Sequence, residues 1–174
     1  AGNPERLPGL ANDLVQLKCA MIVAEAAQAV DAARSATRSI PIVMVYVGDA
    51  LAPGYVASLA RPGGNITGQT LMATDQAAKR LELMKKLSPD IKRIAVISNL
   101  NASGHIQQRK EMDAAAPTLE VTLLQFPMRS AAELDATLEA AVKGSAQAII
   151  TMEDPMVESN RARITAFALD HRLP

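Results

Sequence analysis

The sequence has no tryptophan, two tyrosines, two phenylalanines and a single cysteine in 174 residues. Four aromatic rings (Tyr46, Tyr55, Phe126 and Phe167) are too few for a base-stacking platform along single-stranded nucleic acid. An excess of either charge is missing too: Lys plus Arg equals Asp plus Glu at 18 each, so the formal net charge is zero. A nucleic-acid or membrane-surface partner would call for a basic patch, and neither is expected. The lone Cys19 excludes an intrachain disulfide and a zinc cluster. Lying in the apolar run 18–23, it is expected to be an inert core thiol. No apolar run approaches the roughly 20 residues of a membrane span. The start, Ala1-Gly-Asn-Pro4, does not read as a signal peptide, so any export signal is expected to have been removed already or never to have been present.

Chemical motifs are equally sparse. There is no Walker phosphate loop, no Gly-x-Gly-x-x-Gly after a strand and no Gly-x-Ser-x-Gly elbow. His105 and His171 have no metal-ligand spacing. No catalytic residue, cofactor or metal is expected, and an α/β enzyme ranks last among the readings. His171, near a helix end, is expected on the terminal carbonyls. His105 opens a helix, where a solvated surface position is expected ahead of a ligand contact.

What is present is a 49% hydrophobic, 21% charged chain whose core must be built from Ala, Val, Ile, Leu and Met. Asn3-Pro4-Glu5 reads as a helix start, with Leu7, Leu10, Leu14, Val15 and Leu17 forming its apolar face. Ala20–Ala24 reads as a parallel strand buried on both faces. An alanine-rich helix over 25–37 follows, then the apolar run Ile40–Val47 as a second strand. Residues 65–68 read as a short third strand. Beyond them come a helix from Thr74-Asp75 to Leu87, a strand at Ile94–Ile97 and a helix over 104–115. A strand at Leu119–Leu124 follows, then a helix opened by the capping box Ser130-Ala-Ala-Glu133 and stopped at Gly144. The last pair is a strand at Ala148–Met152 and a helix over 159–171. Strands alternating with helices predict doubly wound parallel α/β architecture.

The chain is organised around Val47 to Gly68. Gly48-Asp49 ends a strand, and Arg61-Pro-Gly-Gly-Asn65 is turn material. The alternation then restarts, which predicts an amino-terminal lobe over 1–70 and a carboxy-terminal lobe over 71–174. Open α/β sheets hold ligands at the carboxyl ends of their strands. The polar groups there are Glu25, Asp49, Asn99 to Ser103, and Glu153-Asp154. Ser103 and Gly104 open a helix whose free N–H groups favour a carboxylate, and Asp49 or Asp154 would accept from an ammonium group. The same residues also serve as turn and helix caps, and for Asp49, Ser103 and Asp154 the two readings stand level.

The blocks Ile40-Pro-Ile-Val43, Val47-Gly-Asp49, Val56-Ala-Ser-Leu-Ala-Arg-Pro-Gly-Gly-Asn-Ile-Thr-Gly68 and Lys79-Arg-Leu-Glu-Leu83 resemble one known family. Arg93-Ile-Ala-Val96 and Glu153-Asp-Pro155 continue the likeness, as does the stretch from Ser159 to Pro174. The family is that of bacterial ABC transporter substrate-binding proteins with the type I periplasmic-binding-protein fold, in the TrpX-like branch. The resemblance implies two α/β lobes joined by a hinge that close on an amino acid or related carboxylate. It also implies membrane permease subunits as partners and a periplasmic or extracytoplasmic location. A ligand-sensing domain of a regulator with the same fold is the alternative.

By position, the family's ligand loops fall on Ala26, Ala27, Gln28, Gly48, Asp49, Asn99, Ser103 and Asp154. Where many relatives carry Gly-Thr-Pro, this chain has Ala26-Ala27-Gln28. Where they carry Asp-Pro, it has Asp49-Ala50. The family also has an earlier strand and later strands with no counterpart here. Both lobes are therefore expected to be incomplete, with dimerisation as one way to cover the first.

Overall fold

The computed structural model describes residues 3–102 and 105–174. The chain divides into two units, Ala1–Ala73 with Ala102–Gly104, and Thr74–Asn101 with His105–Pro174. Each contains one parallel sheet, as the α/β expectation requires.

In the first unit the β-branched and apolar runs form β1 (Ile22–Glu25), β2 (Ile42–Val47) and β3 (Ile66–Thr70), paired in that order. Ile22 faces Ile42, which faces Ile66. Ile22, Ala24, Ile42, Met44 and Ile66 share a core with Val30 and Ala33 of α2 (Ala26–Ala36) and with Tyr55 and Val56. The opposite face is not buried: Val23 is 65% exposed, and Met21 and Val45 are exposed too. The expectation of β1 buried on both faces is thus corrected. Its burial alternates residue by residue, as a strand with a helix on one side requires.

Asn3 accepts from the Glu5 N–H at 3.0 Å, opening a 3-10 turn over Pro4–Arg6 ahead of α1 (Leu7–Gln16). The expected leucine face of α1 does not hold as a buried stripe. Ala11 is buried, whereas Leu10, Leu14 and Leu17 are exposed. Cys19 is half-buried and not a core thiol.

The second unit has the order β5-β4-β6, all parallel. Its central strand, β4 (Arg93–Asn99), is buried from Ile94 onward. Strand residues alternate between faces. Ile94 and Val96 pack under Ala77 and Leu81 of α3 (Ala73–Leu87) and Met112 of α4 (His105–Ala115). Ala95 and Ile97 pack toward α5 (Leu134–Lys143) and α7 (Arg161–Asp170). Helices therefore cover both sheet faces. Leu87, at the end of α3, is 81% exposed.

Three boundaries differ from expectation. Strand β5 is Thr122–Met128, later than Leu119–Leu124. Leu119 still donates to the Ala115 carbonyl, and Glu120 turns back with φ 53°. Pro127 lies within β5 because β5 is an edge strand among the described residues. Ser130 makes no side-chain cap; instead Glu133 accepts from the Arg129 N–H at 3.1 Å, and a 3-10 turn over Ala131–Glu133 precedes α5. Gly144 does end α5, but the left-handed residue is Ser145 at φ 58°. Beyond β6 (Ala148–Thr151) the single expected helix is two, α6 (Pro155–Ser159) and α7. The Pro174 carbonyl accepts from the Ile149 N–H at 3.0 Å.

Candidate functional site

In the first unit the predicted residues gather at the carboxyl ends of β1 and β2. Ala26 is buried and starts α2 with φ 66°, a left-handed conformation that an L-residue with a Cβ adopts at a cost. The β1–α2 junction is therefore a sharp reversal. Ala27 and Gln28 follow it, half-buried. The Ala27 carbonyl accepts from the Tyr55 hydroxyl at 3.2 Å. Arg34 of α2 stands 5.1 Å over the Tyr55 ring and donates to the Pro53 carbonyl at 3.1 Å. Two side chains thus tie the loop after β2 to α2.

Strand β2 ends irregularly. Its register with β3 shifts between Met44 and Val47, and Tyr46 has φ 53°. A bulge of this kind re-aims the residues beyond it, and those are Gly48 and Asp49. Gly48 is held by its carbonyl, which accepts from the Ala73 N–H at 2.8 Å. Asp49 is buried, and its Oδ1 accepts from the amides of Leu51 at 2.8 Å and Ala52 at 3.0 Å. For that oxygen the turn-capping role is observed.

In the second unit Asn99, at the end of β4, and Asp154, just beyond β6, meet directly. The Asn99 amide donates to Asp154 Oδ2 at 3.0 Å, and both side chains are buried. Asp154 Oδ1 caps α6 by accepting from the Met156 N–H at 2.8 Å, while Asn99 Oδ1 accepts from the Asn101 N–H at 2.9 Å. Predicted Ser103 lies outside the described residues.

Sequence reasoning missed the groups behind this pair. Arg80 of α3 forms an ion pair with Glu153 and donates to the Thr151 carbonyl at 2.7 Å. His105 is 3% exposed, which corrects the expected surface position, and its Nε2 lies 3.1 Å from the Glu153 carbonyl. Helical spacing carried a signal for both. Arg80 falls on the stripe of Ala77, Leu81 and Met84, and His105 and Gln108 fall on that of Met112. A polar residue on a core stripe needs a partner. Ser98 Oγ, His105 Nδ1, Gln108 Nε2 and Glu153 Oε2 are buried with no hydrogen-bond partner among the described residues. Such groups in a native fold are satisfied by ordered water or an ion, or mark strain or a functional role. Among the described residues no group of three or more His, Cys, Asp or Glu could hold a metal ion. No helix among them is long and apolar enough to cross a membrane.

Two parallel sheets, each wound with helices and each presenting polar loops at its strand carboxyl ends, make this a protein of the type I periplasmic-binding-protein fold. The chain belongs to the ABC transporter substrate binding protein family, whose model matches residues 1–174. It is 28% identical over 166 residues to a tyrosine-binding protein of Clostridioides difficile, covering 95% of this chain and 47% of the relative. A solved conserved domain protein from Vibrio cholerae aligns with TM-score 0.89 at 24% identity. A solved ABC domain from Streptococcus pneumoniae in complex with L-Trp aligns with TM-score 0.86 at 23% identity. Each alignment covers 99% of this chain and 57% of the other. The chain thus spans about half the length of the relatives it matches.

Proposed function

We propose that this chain belongs to the extracytoplasmic solute-binding component of an ABC importer. It captures an amino acid or related small carboxylate with the strand-end loops and delivers it to membrane permease subunits. The observation that carries this reading is the buried Asn99–Asp154 pair at the carboxyl ends of β4 and β6. A carboxylate held there by an amide and a helix N-terminus is pre-oriented, so an α-ammonium group meets an acceptor already in place. Ala26 to Gln28, Gly48 and Asp49, at strand carboxyl ends of the first unit, are further ligand-loop positions by the family resemblance, as is Ser103 by sequence position. The tyrosine-binding relative and the L-Trp complex support an aromatic amino acid as the first ligand to try.

The test is a thermal-shift screen of the twenty amino acids against the full-length protein, followed by calorimetry on the best of them. Stabilisation by at least one amino acid, lost in Asp154→Asn, is the expected result. No shift with any amino acid or small carboxylate overturns the proposal.

A further inference from the structure

We propose that Arg80 and His105 are positioning residues for ligand capture: together they clamp the turn that presents Asp154. The inference rests on reading Asp154 as a ligand residue. Four consecutive positions, Thr151 to Asp154, run from the end of β6 to the cap of α6. Two of their carbonyls are held by side chains from outside the segment. Arg80 of α3 takes the Thr151 carbonyl at 2.7 Å with one nitrogen and the Glu153 carboxylate with another. His105, the first residue of α4, takes the Glu153 carbonyl at 3.1 Å. A carbonyl oxygen only accepts, so His105 Nε2 carries the hydrogen. Asp154 follows directly, and its two oxygens are committed to Asn99 and to the Met156 amide.

The geometry explains why charged and polar groups occupy core stripes of α3 and α4. An apolar residue at 80 or 105 would fill the space and leave the turn unheld. Arg80 is suited to the task because its planar fork serves a carbonyl and a carboxylate at once, which a lysine ammonium on a flexible stem does not reproduce. The two donors come from different helices. The turn is thereby pinned to both α3 and α4, which together cover one face of the sheet. A ligand group held to small tolerances needs such support.

Four substitutions separate positioning from packing. His105→Gln keeps an N–H donor near the Nε2 position, His105→Phe keeps the ring volume and loses it, and Arg80→Met and Arg80→Lys remove the fork. The first measurement is amide hydrogen exchange of ligand-free full-length protein, with Val96 and Ile97 of β4 as internal control. The second is calorimetry with L-tyrosine and L-tryptophan.

Loss of one such hydrogen bond corresponds to about tenfold faster exchange at Met156 and about tenfold weaker binding in His105→Phe, and Arg80→Met, which loses two, should show at least as much. Unchanged β4 amides and recovery of both quantities in His105→Gln complete the expected result. Wild-type exchange at Met156 in His105→Phe, or no recovery in His105→Gln, overturns the clamp. Faster exchange with unchanged affinity overturns the positioning role and leaves a structural contact. Should the wild-type protein bind neither these two nor any other amino acid or small carboxylate, the ligand reading fails, and exchange alone decides the clamp.

Discussion

Gly68 in β3 stands so close to Met44 in β2 that a Cβ built on it would meet the Met44 carbonyl oxygen at 2.1 Å. Its φ of 135° is also one that side chains rarely adopt. Gly68→Ala therefore combines backbone strain with a backbone clash, and neither sheet strand can yield without losing register. A loss of roughly 3 kcal/mol in urea-unfolding stability is expected. Exchange should rise in β2 and β3, with β4 little changed.

Ala26 presents the reverse case. At φ 66° it occupies a left-handed position while carrying a buried Cβ. Ala26→Gly should raise stability by about 1 kcal/mol, the left-handed penalty less the added freedom of the unfolded chain. Thermal denaturation of the two proteins side by side checks the sign.

The Asn99–Asp154 pair predicts strong coupling. Asp154→Ala removes a helix cap and strands the buried Asn99 amide, for roughly 2–4 kcal/mol of lost stability. Asn99→Ala removes the bond to Asp154 Oδ2 and the one accepted from the Asn101 N–H but leaves the helix cap in place, so its effect should be smaller. A double-mutant cycle should return about 1 kcal/mol or more of interaction between them. Strict additivity would contradict the observed contact.

Glu82 on α3 has its carboxyl held below the usual carboxylate range, chiefly by the hydrogen bond from Lys79 and then by that residue's charge. A depressed folded pKa favours the native state above the unfolded value, and that contribution disappears as pH falls through the folded pKa. The pair is solvent-exposed, so the effect belongs in the titration curve and not in global stability. An NMR titration should place Glu82 low, and Lys79→Met should return it toward the ordinary range.

The sequence made the strands legible because apolar runs such as Ile94–Ile97 and Ile42–Val47 sit between turn residues. It also placed Asn99 and Asp154 at strand ends, where their meeting could be anticipated in place though not in geometry. Whether Asp49 would cap a turn could not be read, since the same residue type serves both uses. The start of β5 is not legible in the sequence because Leu119 and Val121 look like strand residues. They belong to a reversal through Glu120, which leaves no distinctive residue type behind. The burial of His105 was missed for a different reason. A histidine at a helix start reads as solvated until Gln108 and Met112 are seen to share its stripe. Alternating exposure on β1 was likewise hidden, since Met21, Val23 and Ala24 are all apolar and nothing local says which side a helix will cover.

That uncovered side of the first sheet has a practical consequence for handling the 174-residue chain alone. Met21, Val23 and Val45 present a greasy strip beside β1, an edge strand among the described residues, and such strips invite precipitation in concentrated stocks. A lysine placed at position 23 should keep the solution clear without disturbing the interior, because that side chain already points away from Val30 and Ala33.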